Sequence, residues 1–334
     1  MALAGAVSNL NFTWLDGIDD TMGVSKTVED DGAPSRQSAG ARGSWRAHMN
    51  AIQAIVDQGL ESALVMEDDI DWDVRLKSQM GSFSTAVRAW LSRTEPSAWP
   101  QGHKETAQEI ADRVTIPIPF FPVAGKHQSP YGSGWDVLWL GHCGTEFPSS
   151  HQSQRRISIP DDTTVPAPRH LKPHPFALND PLGELYPPHT RVVHASSGTV
   201  CTLAYAVSRR GAQRLLQQFG PAAFTKQWDL ALGDWCDDGT ESSETGAGPA
   251  GDHAGNGEDE TGNRPLCLTV QPPLVNHYHA QGGSSDILGQ GGGYVRTVGS
   301  PYIRLSVRLN LARILRGWAV EDLADQFPDE GGSA

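Results

Sequence analysis

Three carboxylates stand in a row at Glu67, Asp68 and Asp69, directly after the apolar run Ala63-Leu64-Val65-Met66. Apolar residues ending in three acids read as a buried strand whose carboxyl end carries concentrated negative charge. Crowded carboxylates raise one another's pKa unless a cation neutralises them. Oxygen ligands of this kind suit a hard divalent ion, Mn²⁺ or Mg²⁺. In an open α/β sheet, ligands bind outside the carboxyl ends of the strands. Glu67 and Asp69 are therefore the expected metal ligands, with Asp68 in support. The competing reading is a solvated turn that caps the next helix, and Asp71 and Asp73, which extend the acidic run, lean towards it.

Three further clusters carry chemistry. In Asn276-His277-Tyr278-His279 two histidines two apart on an extended chain face the same way, so one metal can take either. In Trp228-Asp229-Leu230-Ala231-Leu232-Gly233-Asp234, carboxylates among large apolar residues are suited to a general base. A helix start capped by Asp229 explains the same residues. In Gly40-Ala41-Arg42-Gly43-Ser44-Trp45-Arg46-Ala47-His48, glycines lead towards a helix whose N-terminus can approach a phosphate, with Arg42 or Arg46 to neutralise it. It is neither a Walker nor a dinucleotide pattern, and a plain capped helix fits as well.

The scaffold around these clusters can be read from periodicity. Met1 to Val7 reads as the tail of a helix and Phe12 to Leu15 as a strand. Ser44 can cap a helix with Trp45, Met49, Ile52 and Val56 on one face, stopping at Gly59. After the acidic strand, Leu76, Met80, Phe83, Val87 and Trp90 line a second helix. Trp135 to Gly141 reads as a central strand, Thr199 to Val207 as another, and Ser208 caps a helix over Arg209 to Gln218. Leu266 to Val270 and Leu274-Val275 are short apolar runs. Thr115 to Gly134 and Thr145 to Pro188 lack periodicity and read as irregular insertions. The stretch 16–37 reads as a loop, 237–263 as a disordered acidic Gly-rich insertion, 282–286 as a flexible loop, and 321–334 as a flexible tail.

The chain has 334 residues and a net charge of −13, which argues against a nucleic-acid partner because such a partner needs a basic stripe. No apolar run reaches membrane-spanning length, so no membrane contact is expected. None of the four cysteines, Cys143, Cys201, Cys236 and Cys267, forms a CxxC pair, which argues against a zinc site. Cys236 and Cys267 flank the acidic insertion; a disulfide closing it and two semi-buried thiols are both open. Asn11-Phe12-Thr13 is a glycosylation triplet.

Taken in order, these segments resemble glycosyltransferase family 25. The resemblance rests on Gly43 to His48, Leu64 to Ile70, Trp135 to Gly141, Ala204 to Ala212, Trp228-Asp229 and Pro273 to His277; the insertions and Ser306 to Asn310 look most like its fungal branch. It implies a GT-A-like, Rossmann-type nucleotide-sugar-binding α/β fold with long irregular insertions, forming a single domain over residues 1–334. It also implies a UDP-sugar donor, Mn²⁺ (or Mg²⁺) as cofactor, and inverting transfer of galactose or glucose to a glycan or protein hydroxyl. The residue roles it implies are Glu67, Asp69 and His277 as metal ligands, and Asp229, then Asp234, as base. Gly43, Arg46, His48 and Asp68 would lie on the donor. Ser44 stands where the family has a cysteine. The family opens with a strand that helps build the nucleotide pocket, and this chain begins after it. A truncated or misassigned start is therefore expected, with an anchor for the Golgi lumen in the missing stretch. A catalytically inactive nucleotide- or sugar-binding homologue is the alternative. A metal-dependent phosphohydrolase ranks last, because it calls for a second Asp/His cluster.

Overall fold

The computed structural model describes residues 1–18, 39–92, 105–118, 129–149, 154–171, 182–221, 224, 226–237, 264–279 and 298–329. The expected loop at 282–286 and nearly all of the 16–37 loop and the acidic insertion lie outside these residues. The fold is mixed α/β. Its strands are β1 (Ser62–Met66), β2 (Ile70–Trp72), β3 (Thr115–Pro117), β4 (Val137–Gly141), β5 (Arg156–Ile159), β6 (Arg191–Ala195), β7 (Ala204–Ser208), β8 (Cys267–Gln271) and β9 (Val275–His277). They form one sheet ordered β1-β7-β4-β8-β6-β5-β3, with β9 beside β4 and β2 beside β9. β4–β8 and β3–β5 are parallel; β1–β7, β7–β4, β8–β6, β6–β5 and β2–β9 are antiparallel.

Alternation along the strands supplies two cores. On one face Leu138, Leu140, Val193, Leu268 and Val270 pack under α3 (Leu76–Leu91), whose Phe83, Val87 and Trp90 point inward as the helical spacing predicts. α1 (Ala2–Val7) and α8 (Val307–Leu315) lie on the same side, contributing Ala4 and Val307. On the other face Val137, Trp139, Tyr205 and Val207 pack under α2 (Ala39–Asp57), α6 (Arg209–Phe219) and α7 (Trp228–Asp237). Two short helices, α4 (Ala107–Val114) and α5 (Leu182–Leu185), complete the α-helices among the described residues.

Several expectations need correction. β1 is an edge strand, not a buried one: its outer side has no partner strand among the described residues, and Leu64 is 41% exposed. Phe12 to Leu15 form no strand; Phe12 instead packs edge-on against Trp14 and Trp72. α2 starts by Ala39, so Ser44 is interior to it. The insertions read as irregular contain β3, β5 and α5, and β6 begins just past the second of them. β5 and β6 escape notice because their core-facing Ile157 and Val193 alternate with buried polar residues, Arg156, Ser158 and His194. The tail is tied down through residue 329: Arg304 binds the carboxylates of Asp325 and Asp329, and Asn310 bonds Ala324 through both backbone atoms.

Buried carboxylates hold the elements in place. Asp136, fully buried before β4, accepts from Arg210 Nε (2.8 Å), Arg214 Nη1 (2.7 Å) and the Leu266 N–H (2.9 Å), which locks α6 and β8 to β4. A Cβ on Gly211 would collide with the Asp136 carbonyl, so the helix can approach this closely only with glycine there. Asp71 and Asp73 are not in a solvated turn; both are fully buried. Asp71 accepts from the N–H groups of Trp72 (2.9 Å) and Arg308 (3.2 Å) and from the hydroxyls of Ser300 (2.6 Å) and Ser306. Asp73 takes the Arg75 guanidinium and the Leu305 N–H (2.9 Å).

Asp71→Ala leaves those donors buried without an acceptor. It is expected to lower unfolding stability by about 3–5 kcal/mol in urea titrations, against less than about 0.5 kcal/mol for the exposed Asp68→Ala. Equal midpoints for the two variants would remove Asp71 from the set of structural anchors.

Candidate functional site

β1 and β4 run one way and β7, between them, runs against both. Their carboxyl ends therefore lie beside the entry to β7, where Ala204 pairs both Met66 and Gly141. Val275, the first residue of β9, pairs Gly141 in parallel as well, so β9 begins where β4 ends and runs on past it in the same direction. A side chain at Gly141 would sit 2.9 Å from the Val275 carbonyl and 3.0 Å from the Ala204 nitrogen; only glycine lets the three segments meet. This rim gathers Glu67, Asp69, Cys143, Cys201, Thr202 and His277.

Glu67 extends the β1–β7 pairing, with its N–H on the Leu203 carbonyl (3.0 Å). Its Oε1 accepts from the Thr202 hydroxyl (3.1 Å) and lies 3.7 Å from His48 Nε2. His48 reaches the rim from α2, bonds the Tyr205 hydroxyl through Nδ1 (2.9 Å) and stacks on Trp228 with ring centroids 5.8 Å apart. Burial pushes the Tyr205 phenol far up, so it stays protonated.

Asp69 turns the other way. Its Oδ2 lies 3.3 Å from His277 Nδ1, and its carbonyl accepts from the Tyr278 N–H (2.8 Å). Burial favours the neutral form of each partner, but their mutual attraction outweighs it. The His277 pKa is raised and the Asp69 pKa lowered, with Glu67 adding to the first and Arg308 to the second. His279 moves down, through burial and the neighbouring His277 charge. Arg308 caps this end: its guanidinium sits over the Tyr278 ring, 5.1 Å from the centroid, and its Nε is buried without a hydrogen-bond partner.

Asp229 enters from the first turn of α7, where its Oδ2 accepts from the Cys201 N–H (3.0 Å). Cys201 is a non-glycine residue at φ +65°, held there by that bond, by Trp139 Nε1 on its carbonyl (2.9 Å) and by a disulfide to Cys143. A backbone this strained persists only where its surroundings over-determine it.

The structure thus joins Glu67, His48, Asp69, His277 and Asp229 in one region. It does not bring in the others. Asp234 follows Asp229 by five residues, about 140° around the helix, and pairs on the surface with Lys226. Gly43 lies inside α2, where a Cβ would strike the Ile18 carbonyl, so its role is close packing rather than a phosphate-cradling turn. Arg46 is two residues from His48 and points from another face of the helix. The Asp68 side chain is exposed.

Nor do the three expected ligands assemble. The Glu67 carboxylate is held by Thr202 and His48, and that of Asp69 by His277. Among the described residues, the three ligand-type side chains whose donor atoms fall within 4.8 Å of one another are Cys143, Cys201 and His277. The sulfurs of that set are bonded to each other (Cα–Cα 5.5 Å). The second disulfide is Cys236–Cys267, the pairing that closes the acidic insertion. Sequence reading missed Cys143, Cys201, Thr202, Tyr205 and Arg308. Only the even cysteine count pointed to a second bridge. No family model, no curated protein and no solved structure matches the chain significantly.

The Asp69–His277 pair has a defined pH window. A histidine raised from 6.5 contributes its full stability below that pH and loses it as pH climbs through the higher folded value. A carboxyl lowered from 3.8 contributes above that pH and loses it as pH falls through the lower folded value. Asp69 is 58% exposed, so solvent screens the pair and its coupling stays under about 1 kcal/mol. A double-mutant cycle of Asp69→Asn and His277→Gln is expected to give its largest coupling between the two unperturbed pKa values and to fall off on either side. Coupling that rises steadily above neutral pH contradicts the pairing.

Proposed function

We propose that the chain is a hexosyltransferase with a GT-A-like nucleotide-sugar domain, moving galactose or glucose from a UDP-sugar to a hydroxyl of a glycan or glycoprotein. The observation that carries this reading is the convergence of His48, Glu67, Asp69, Asp229 and His277 on one rim. These residues come from four separate segments and meet at the carboxyl ends of β1, β4 and β9. Rims of this kind are where open α/β sheets bind ligands. The mixed strand directions are compatible with a Rossmann-like arrangement.

In the proposed reaction Asp229 takes the proton from the acceptor hydroxyl. The oxygen bonds to the anomeric carbon from the side opposite the leaving group, and the carbon–oxygen bond to the diphosphate breaks with its electron pair on phosphate. The Cys201 N–H on Oδ2 fixes the carboxylate's direction. Arg308, next to Asp69, supplies a cation for the leaving diphosphate. Two carboxylates and an imidazole are ligands of the type that Mn²⁺ or Mg²⁺ takes, and Glu67, Asp69 and His277 are the candidates. As they lie they do not form one ligand set, and no step above depends on the ion. The two disulfides support a location in an oxidising compartment, the secretory pathway and its Golgi lumen. No helix among the described residues is long and apolar enough to cross a membrane.

The same unassembled ligand set favours a second reading, a binding homologue that holds nucleotide or sugar without transferring it. Incubation with UDP-galactose and UDP-glucose, with and without Mn²⁺, separates the two. Sugar transfer or donor hydrolysis supports the enzyme, whereas calorimetric UDP binding with no turnover supports the binder. Asp229→Asn keeps an acceptor for the Cys201 N–H and is expected to cut turnover roughly 10²–10⁴-fold while leaving UDP affinity unchanged. Full activity in that variant removes Asp229 from the chemistry.

A further inference from the structure

The Cys143–Cys201 disulfide joins the end of β4 to the strained residue whose N–H holds Asp229. His277 offers a ring nitrogen within 4.8 Å of both sulfurs. Its Nδ1 is turned to the Asp69 carboxylate, which leaves Nε2 as the lone pair open to an ion. A carboxylate that orients an imidazole in this way is the usual outer support of a histidine metal ligand. The other disulfide has no such third group among the described residues.

We infer that reduction of Cys143–Cys201 converts this corner into a zinc site with Cys143 Sγ, Cys201 Sγ and His277 Nε2 as ligands and one position open. In the reducing step a dithiol delivers two electrons and two protons to the sulfur–sulfur bond and becomes a disulfide itself. Zinc then displaces one proton from each cysteine thiol and, where the imidazole is charged, the proton on His277 Nε2, and all of these protons pass to solvent. Two thiolates and an imidazole form a set that prefers Zn²⁺ over Mn²⁺ or Mg²⁺, because sulfur is a soft ligand. The same His277 cannot serve a hard ion bound at Glu67 and Asp69 at the same time. The oxidised corner therefore leaves His277 available to the rim, and the reduced, zinc-loaded corner withdraws it. Metal binding here stands independently of glycosyl transfer and is read without any activity assay.

The test uses the full chain, reduced by a dithiol, freed of it without oxygen, and titrated with Co²⁺ as a spectroscopic stand-in for Zn²⁺. The expected result is uptake of about one equivalent with thiolate-to-cobalt charge-transfer bands, reversed by Zn²⁺ and absent from the oxidised protein. Zinc is expected to protect Cys143 and Cys201 from alkylation, as mapped by mass spectrometry. His277→Ala keeps both disulfides when oxidised and is expected to bind at least about tenfold more weakly after reduction; Asp69→Asn is expected to weaken binding roughly tenfold. Absence of the bands overturns the inference. So do bands that persist in the reduced Cys143→Ser/Cys201→Ser chain, which would place the metal on the other pair, and loss of near-ultraviolet circular dichroism on reduction. A disulfide that resists reduction in the folded chain overturns it too.

Discussion

Everything at the rim depends on β7 running against two neighbours at once. An antiparallel strand between two that share a direction puts its own entry beside their exits, and Ala204 marks the level by pairing both Met66 and Gly141. Cys201 and Thr202, just before that entry, then become partners for the residues that leave β1 and β4. Glu67 meets Thr202, and Cys143 meets Cys201, because of register rather than chain proximity. In an all-parallel sheet the loops before and after a strand lie on opposite edges, and these side chains would be a full strand length apart.

The acidic composition divides into two kinds of carboxylate with opposite physics. Asp71, Asp73 and Asp136 are fully buried, and each is surrounded by donors from distant parts of the chain. A buried charge is tolerable only with such partners, and breaking the set costs far more than an exposed ion pair contributes. Glu67 and Asp69 remain partly open to solvent, and a single histidine attends each of them. The first kind fixes where the second kind can be. Asp71 binds the start of α8, and that segment brings Arg308 beside Asp69.

This division also explains what the sequence could and could not disclose. α3, β4 and α6 were legible because one face or both are continuously apolar, and Ser208 caps α6 as its position implies, accepting from the Gly211 N–H at 2.9 Å. β5 and β6 were not, because Arg156, Ser158 and His194 break the apolar pattern while being buried by tertiary contacts. The acidic triplet was legible as a strand end. Its neighbours Asp71 and Asp73 look identical to it in one dimension; only residues 300–308, more than 200 positions away, make them structural. Likewise the exposure of Asp234 and the interior position of Gly43 depend on where α7 and α2 begin, which composition does not specify.

The strained turn at Cys201 connects these levels. A residue with a Cβ at φ +65° carries a conformational cost that glycine at the same position would largely avoid. What a glycine lacks is the sulfur. The cysteine's N–H orients Asp229, its carbonyl receives Trp139 from the core, and its side chain closes on Cys143, so one residue links helix, sheet core and rim. Replacing any one of these links by a looser one would let the entry to β7 relax towards ordinary backbone geometry, carrying Thr202 away from Glu67. The covalent bond is the one of the three that a change of redox conditions can remove without altering the sequence. His277, already oriented by Asp69, is the neighbouring side chain placed to respond when it does.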